Sequence, residues 1–138
     1  MKRTSLIIAV MAIALIGTTS CSKDQLGYIS VTEAEGIIPG TWKVNYYGDD
    51  AGGTADQFAN YTFTFKNDGT VSATSGAEIY EGSWIIQPSQ DEIYDQEIVL
   101  TINQMDILNQ TWLVADMSEV GMQLVDASGN TQVHFLKL

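Results

Sequence analysis

The chain has 138 residues, a single cysteine, and 17 acidic against 6 basic side chains, for a formal charge of −11. So acidic a chain repels phosphate backbones, which excludes nucleic acid as a partner, and one cysteine excludes an internal disulfide. The length suits one domain able to bury a modest core without disulfides.

Residues 1–20 read as a secretory signal peptide. Lys2 and Arg3 give its basic start, 6–16 (LIIAVMAIALI) is an unbroken apolar run, and Gly17, Thr18, Thr19 and Ser20 supply small residues for cleavage. The apolar run is too short for a transmembrane helix, which needs ~20 residues. Cys21 follows directly, and this setting resembles the bacterial lipobox. That resemblance implies a Cys21 thiol carrying diacylglycerol, with a further fatty acid such as palmitate on the new N-terminus. Two or three acyl chains anchor stably where one is marginal. The expected location is the outer membrane of a Gram-negative bacterium, with the membrane a partner through the lipid on Cys21. Ser22-Lys23-Asp24 resembles a tag that sends lipoproteins to the outer cell surface. Removal of 1–20 takes Lys2 and Arg3 and none of the acids, so membrane attachment has to come from lipid rather than charge.

Residues 21–36 form a lipidated tether, and the domain follows over 37–138. At the junction, 31–38 (VTEAEGII) is a short helical turn, with Thr32 as its cap and Glu33 and Glu35 suiting its first turn. Gly36 and Pro39 stop it. It is expected to plug the bottom of the domain.

From Gly40 onward the apolar period is two. Trp42, Val44 and Tyr46 alternate with Lys43 and Asn45, and Tyr61, Phe63 and Phe65 with Thr62 and Thr64. Tyr80, Trp84, Ile98, Leu100, Ile102, Trp112, Val114, Met122, Leu124, Val133 and Phe135 continue the pattern. Asn67-Asp68-Gly69, Ser75-Gly76 and 126–130 (DASGN) mark tight turns. Strands are predicted at 41–47, 60–66, 69–74, 79–87, 97–103, 111–117, 120–126 and 131–138. Eight short antiparallel strands without helical spacing predict an all-β, closed up-and-down barrel, which leaves no free edge.

Gly40-Thr41-Trp42 at the start of the first strand resembles the Gly-x-Trp signature of lipocalins, in which the Trp packs across the closed end of the barrel. The following order, YTFTFKNDGT at 61–70, Gly82-Ser83-Trp84 and a last strand FLKL at 135–138, is similar to lipocalin-like domains of small bacterial surface lipoproteins. The likeness spans 37–138. Typical lipocalins are longer and carry a C-terminal helix and a disulfide. With Trp42 at the closed end, loops 48–59, 75–78, 104–110 and 127–130 fall at the open end. Loops 67–68, 88–96 and 118–119 fall at the closed end, beside the tether, so the mouth is expected to face away from the membrane.

Candidates for chemistry are sparse. Asp49, Asp50 and Asp56 sit in the Gly-rich loop 48–59 without the spacing of a calcium loop, and read as a flexible acidic lid. His134 is the only histidine. It lies opposite Val133 and Phe135, facing solvent, without a nucleophile and orienting acid. The acid pairs Asp49-Asp50 and Asp91-Glu92 fall at opposite ends, unlike a glycosidase pair. No enzyme, no metal and no cofactor is expected. The aromatic residues Trp42, Tyr46, Tyr61, Phe63, Phe65, Tyr80, Trp84, Trp112 and Phe135 all fall on the inner face. They make either a packed core, since eight-stranded barrels are just wide enough to fill, or an apolar pocket. For a pocket, the binding residues are Tyr46, Tyr61, Phe63, Tyr80 and Trp112. The expected function is a surface-anchored, non-catalytic lipocalin-like lipoprotein binding a small apolar ligand or a protein partner. The alternative is an accessory or inhibitor protein with a filled barrel, acting through loops that expose Met105, Ile107 and Leu108.

Overall fold

A computed structural model describes residues 29–138. The expected signal peptide, Cys21 and the export tag lie outside the described residues. Helix α1 (Val31–Ile37) leads into β1 (Gly40–Asp49), β2 (Gly52–Gly53), β3 (Thr62–Phe65), β4 (Thr70–Ser75), β5 (Glu78–Pro88), β6 (Gln96–Ile102), β7 (Gln110–Met117), β8 (Gly121–Asp126) and β9 (Thr131–Lys137). The sheet order is β2-β1-β3-β4-β5-β6-β7-β8-β9, and β9 pairs back on β1. Every pairing is antiparallel. β2 is only a fold-back of β1, with Gly48 opposite Gly53. The other eight strands close an up-and-down barrel at the places the alternation predicts.

α1 covers the end of the barrel near the turn 66–70 and the start of β6. Its cap is Ser30, not Thr32: Glu33 N–H donates to Ser30 Oγ at 3.2 Å, and Ser30 N–H donates to the Glu33 carboxylate at 2.7 Å. This reciprocal pair satisfies two amide donors at the helix start. It also holds the Glu33 carboxyl below its ordinary pKa, first through the Ser30 amide and then its hydroxyl. Ala34 and Ile38 are fully buried against the barrel base. The free carbonyls after the helix find donors on the barrel. Trp42 Nε1 donates to Ile38 O at 2.8 Å, and Lys137 Nζ to Ile37 O at 2.6 Å. The Lys137 ammonium also lies 5.1 Å from the centre of the Trp42 ring. Gln96, whose Nε2 donates to Ile29 O, joins the β5–β6 loop to the same end.

The interior is filled. Trp42, Phe63, Phe65, Phe135, Ile98, Leu100, Ile102, Met122 and Leu124 are buried in one cluster with Trp84 and Trp112. Phe63 and Phe135 meet edge to face at 5.5 Å, Phe65 and Phe135 at 6.0 Å, and Phe65 and Trp84 at 6.1 Å. Of the two readings of the aromatic set, the packed core is the one observed.

Two bulges break the alternation. One falls between Val44 and Tyr46 in β1, the other between Val114 and Asp116 in β7. An extra residue in one strand turns all later side chains to the other face. Tyr46 is therefore paired with His134 outside the barrel, and Tyr47 replaces it against the core. A second departure lies on the outer wall. Leu113 and Val125, direct partners on β7 and β8, are buried without belonging to the interior cluster.

Candidate functional site

The open end is built from loops 50–61, 76–77, 103–109 and 127–130. The first of these is a plug rather than a lid. Thr54 N–H donates to Tyr47 O at 2.9 Å, and a 3-10 turn at Asp56–Phe58 points Phe58 into the mouth. Phe58 is buried there, with Tyr47 at 5.6 Å and Phe63 at 6.1 Å, ring centre to ring centre. A second 3-10 turn, Asp106–Leu108, buries Leu108, whose carbonyl accepts from Trp112 Nε1 at 2.9 Å. Met105 is buried as well, so of the three apolar residues expected on this loop only Ile107 is exposed. The side chain of Asn109 clamps the base of the loop. Its Oδ1 accepts from Ile102 N–H at 2.5 Å, and its Nδ2 donates to Ile102 O at 2.9 Å.

Between the two turns a cleft of about 320 Å³ is lined by Gln57, Phe58, Tyr61, Gln104, Met105, Asp106 and Ile107. It is open to solvent on one side and floored by Phe58 and Met105. Of the expected binding residues, Tyr61 lines it. Tyr80 stands 6.2 Å from Tyr61, ring centre to ring centre. Phe63 and Trp112 are fully buried core, and Tyr46 is on the outer wall. Partial burial, then the neighbouring Glu78 carboxylate and Tyr61, push the Tyr80 hydroxyl above its ordinary pKa. Gln57, Phe58 and Gln104 were not legible as site residues. One signal was present for Phe58: it is the only large apolar side chain in the polar segment 48–59.

Gln104 is the one described non-glycine residue with positive φ, at 61°. The turn it occupies is closed by Met105 N–H donating to Ile102 O at 3.1 Å. A side chain in the left-handed region costs ~1–2 kcal/mol. Glycine avoids that cost but gives back part of the gain through its freer unfolded chain. Gln104→Gly is therefore expected to stabilise the fold by roughly 0.5–1 kcal/mol, read as a higher midpoint in urea. No gain, or a loss, would mean that the Gln104 side chain makes a compensating contact.

The remaining candidates are structural. Asp49 Oδ1 accepts from Ala51 N–H at 2.9 Å, a turn-forming bond. Among the described residues no three acidic, His or Cys side chains come together for a metal ion. Asp91 Oδ1 accepts the amides of Ile93 and Tyr94 at the other end of the barrel. Asp126 holds the last turn: burial raises its pKa, but hydrogen bonds from Thr131, Ser128 and Asn130 outweigh that and leave it lowered. Asp68 is lowered by Thr70 in the same way. His134 lies on the outer wall, 4.8 Å from the Tyr46 ring and 3.2 Å from Gln132 Oε1, and burial lowers its pKa.

No protein-family model and no curated protein sequence matches the chain. Solved structures do. A DUF4847 family protein from Bacteroides vulgatus superposes with a TM-score of 0.52 at 16% identity, over 75% of this chain and 96% of that one. A lipocalin-like protein from Bacteroides uniformis gives 0.51 at 18% identity, over 74% and 99%. At such identities the likeness is one of fold, and it agrees with the strand order and the closure of β9 on β1. The described domain is a lipocalin-like, eight-stranded antiparallel barrel.

Proposed function

We infer that the protein is a lipid-anchored, non-catalytic surface lipoprotein that binds a protein partner at the mouth of its barrel. The observation that carries this reading is the filled and plugged interior, with Phe58 and Leu108 buried at the mouth and the aromatic cluster beneath them. A small apolar ligand normally loses 70–90% of its surface to a pocket. The open cleft at Gln57, Tyr61, Gln104 and Ile107 suits instead one side chain reaching in from a larger surface. Such anchors in small pockets dominate many protein interfaces.

The test places a photoreactive amino acid at position 107 on intact cells. A discrete protein adduct is expected, and Tyr61→Ala should reduce it. In parallel the domain of residues 22–138 should show no saturable binding of a neutral fluorescent probe such as N-phenyl-1-naphthylamine. Saturable probe binding that Tyr61→Ala weakens, without an adduct, would make the protein a small-ligand carrier instead. Cys21→Ala is expected to move the protein out of the outer-membrane fraction; if it stays there, the anchor reading is wrong.

A further inference from the structure

The lysines of the described domain all stand in the half of the barrel near α1. Lys43 lies opposite Leu136, the Lys66 carbonyl accepts from Trp84 Nε1, and Lys137 reaches Ile37 O. Acidic side chains have no such bias. Glu33 and Glu35 stand on α1, while Asp49, Asp50, Asp56, Glu78, Asp106 and Asp126 stand at the mouth. Among the described residues the mouth therefore carries carboxylates with no lysine between them.

These carboxylates are not equivalent. Asp49 and Asp126 commit theirs to turn amides. Asp56 and Asp106, both exposed, are held by their main chains instead: Asp56 O accepts from Ala59 N–H and Asp106 O from Asn109 N–H, each at 3.2 Å. Each opens one of the two 3-10 turns, and each borders a hollow. Asp106 lines the cleft of about 320 Å³ with Phe58, Tyr61 and Ile107. Asp56 lines a second, more open hollow of about 470 Å³ with Tyr47 and Asp49. Gln57 belongs to both walls, so the two adjoin. We propose that this double hollow receives a basic segment of the protein partner, with an arginine in the Asp106 cleft and a second cationic side chain beside Asp56. The proposal rests on the partner reading above and names the chemistry of that partner.

The lining suits that occupant. An arginine stem lies along apolar surface while its head stays wet, and Phe58, Tyr61 and Ile107 give such a surface. Its guanidinium stacks on aromatic rings and pairs with a carboxylate through two parallel hydrogen bonds. Tyr61 and Asp106 offer both partners within one cleft, and Gln57 and Gln104 supply amide carbonyls for its remaining N–H groups. An acidic anchor would meet these carboxylates with no cation to pair it. A purely apolar one would desolvate Asp106 and Gln104 without replacing their hydrogen bonds. A cleft lined by charge of one sign also gathers the opposite charge before contact.

The full lipidated chain, in neutral detergent micelles, is titrated with a dye-labelled peptide of sequence Gly-Ser-Arg-Gly-Arg-Ser-Gly. A second probe carries citrulline for arginine, which keeps the shape and removes the charge. The arginine probe is expected to bind about tenfold more tightly than the citrulline probe. Asp106→Asn and Asp56→Asn should each weaken it by about threefold or more. Glu119→Gln at the closed end removes the same charge and should leave binding unchanged. On intact cells the adduct formed through position 107 should fall with the same two asparagine variants and persist in Glu119→Gln. Equal binding of the two probes would overturn the basic anchor. So would an adduct at 107 that ignores Asp56→Asn and Asp106→Asn, although the partner reading would then stand. No adduct at all would remove the partner reading and this one with it.

Discussion

Gly82→Ala is expected to destabilise the barrel by about 3 kcal/mol or more, at or beyond the upper end of what overpacking usually costs. Gly82 lies in β5 opposite Val71 of β4 and Ile102 of β6. A Cβ built there would stand 1.8 Å from Thr101 O and 2.7 Å from both Thr101 C and Ile102 Cα. All three contacts are backbone, so no side-chain rotation can relieve them. The strands would have to part just where Asn103 N–H reaches Glu81 O at 3.1 Å. Domains of this size melt on the order of 4 °C lower per kcal/mol lost, so a fall of roughly 10–20 °C is expected. A midpoint within a few degrees of the parent would mean that β5 and β6 have room between them.

Trp42→Ala should cost ~3–5 kcal/mol, the range of other large-to-small changes in cores. Trp42 is fully buried. It fills the barrel base, supports Lys137 over its ring, and gives its indole N–H to Ile38 O. Truncation leaves a cavity and a carbonyl without its donor. Trp42→Phe shifts the balance between these effects, because it keeps most of the volume, leaves a smaller cavity and loses the hydrogen bond, whose unpaired carbonyl costs about 1–3 kcal/mol. Urea unfolding measures both. Amide exchange at Ala34 and Ile38 should rise in each, since both variants loosen the seat of α1. A loss under ~1 kcal/mol for Trp42→Ala, well below the cavity range, would remove Trp42 from the core.

The strands were legible because their alternation is strict and their turns carry Asn, Asp and Gly at the right places. The departures trace to single residues. One extra residue at the β1 bulge moved Tyr46 from the inner wall to a place beside His134 and brought Tyr47 inside. Neither Asn45 nor its neighbours announces a bulge. The helix cap at Ser30 was in plain view as Ser-x-x-Glu, two residues earlier than Thr32 suggests. Met105 and Leu108 read as exposed because they sit in a loop between strands. A 3-10 turn instead rotates them inward, and turn type is a property of backbone shape that period-two patterning does not encode. The mouth cleft was illegible for the same reason. Its walls come from Gln57, Tyr61, Gln104 and Ile107, residues brought together by two turns far apart in the chain.

The closure of β9 on β1 also sets the order in which the molecule can be completed. Lys137 reaches Ile37 across a separation of 100 residues, and β1 runs beside β9 from Trp42 to Asp49. Hairpins such as β3–β4 and β4–β5 can form as soon as each emerges, but the ring has no last stave until β9 arrives. Contacts so distant in sequence slow folding, because the loop-closure entropy precedes their reward. Until β9 is in place the sheet keeps two open edges, on β1 and β8, each a row of unpaired amides and carbonyls able to take up a strand from another chain.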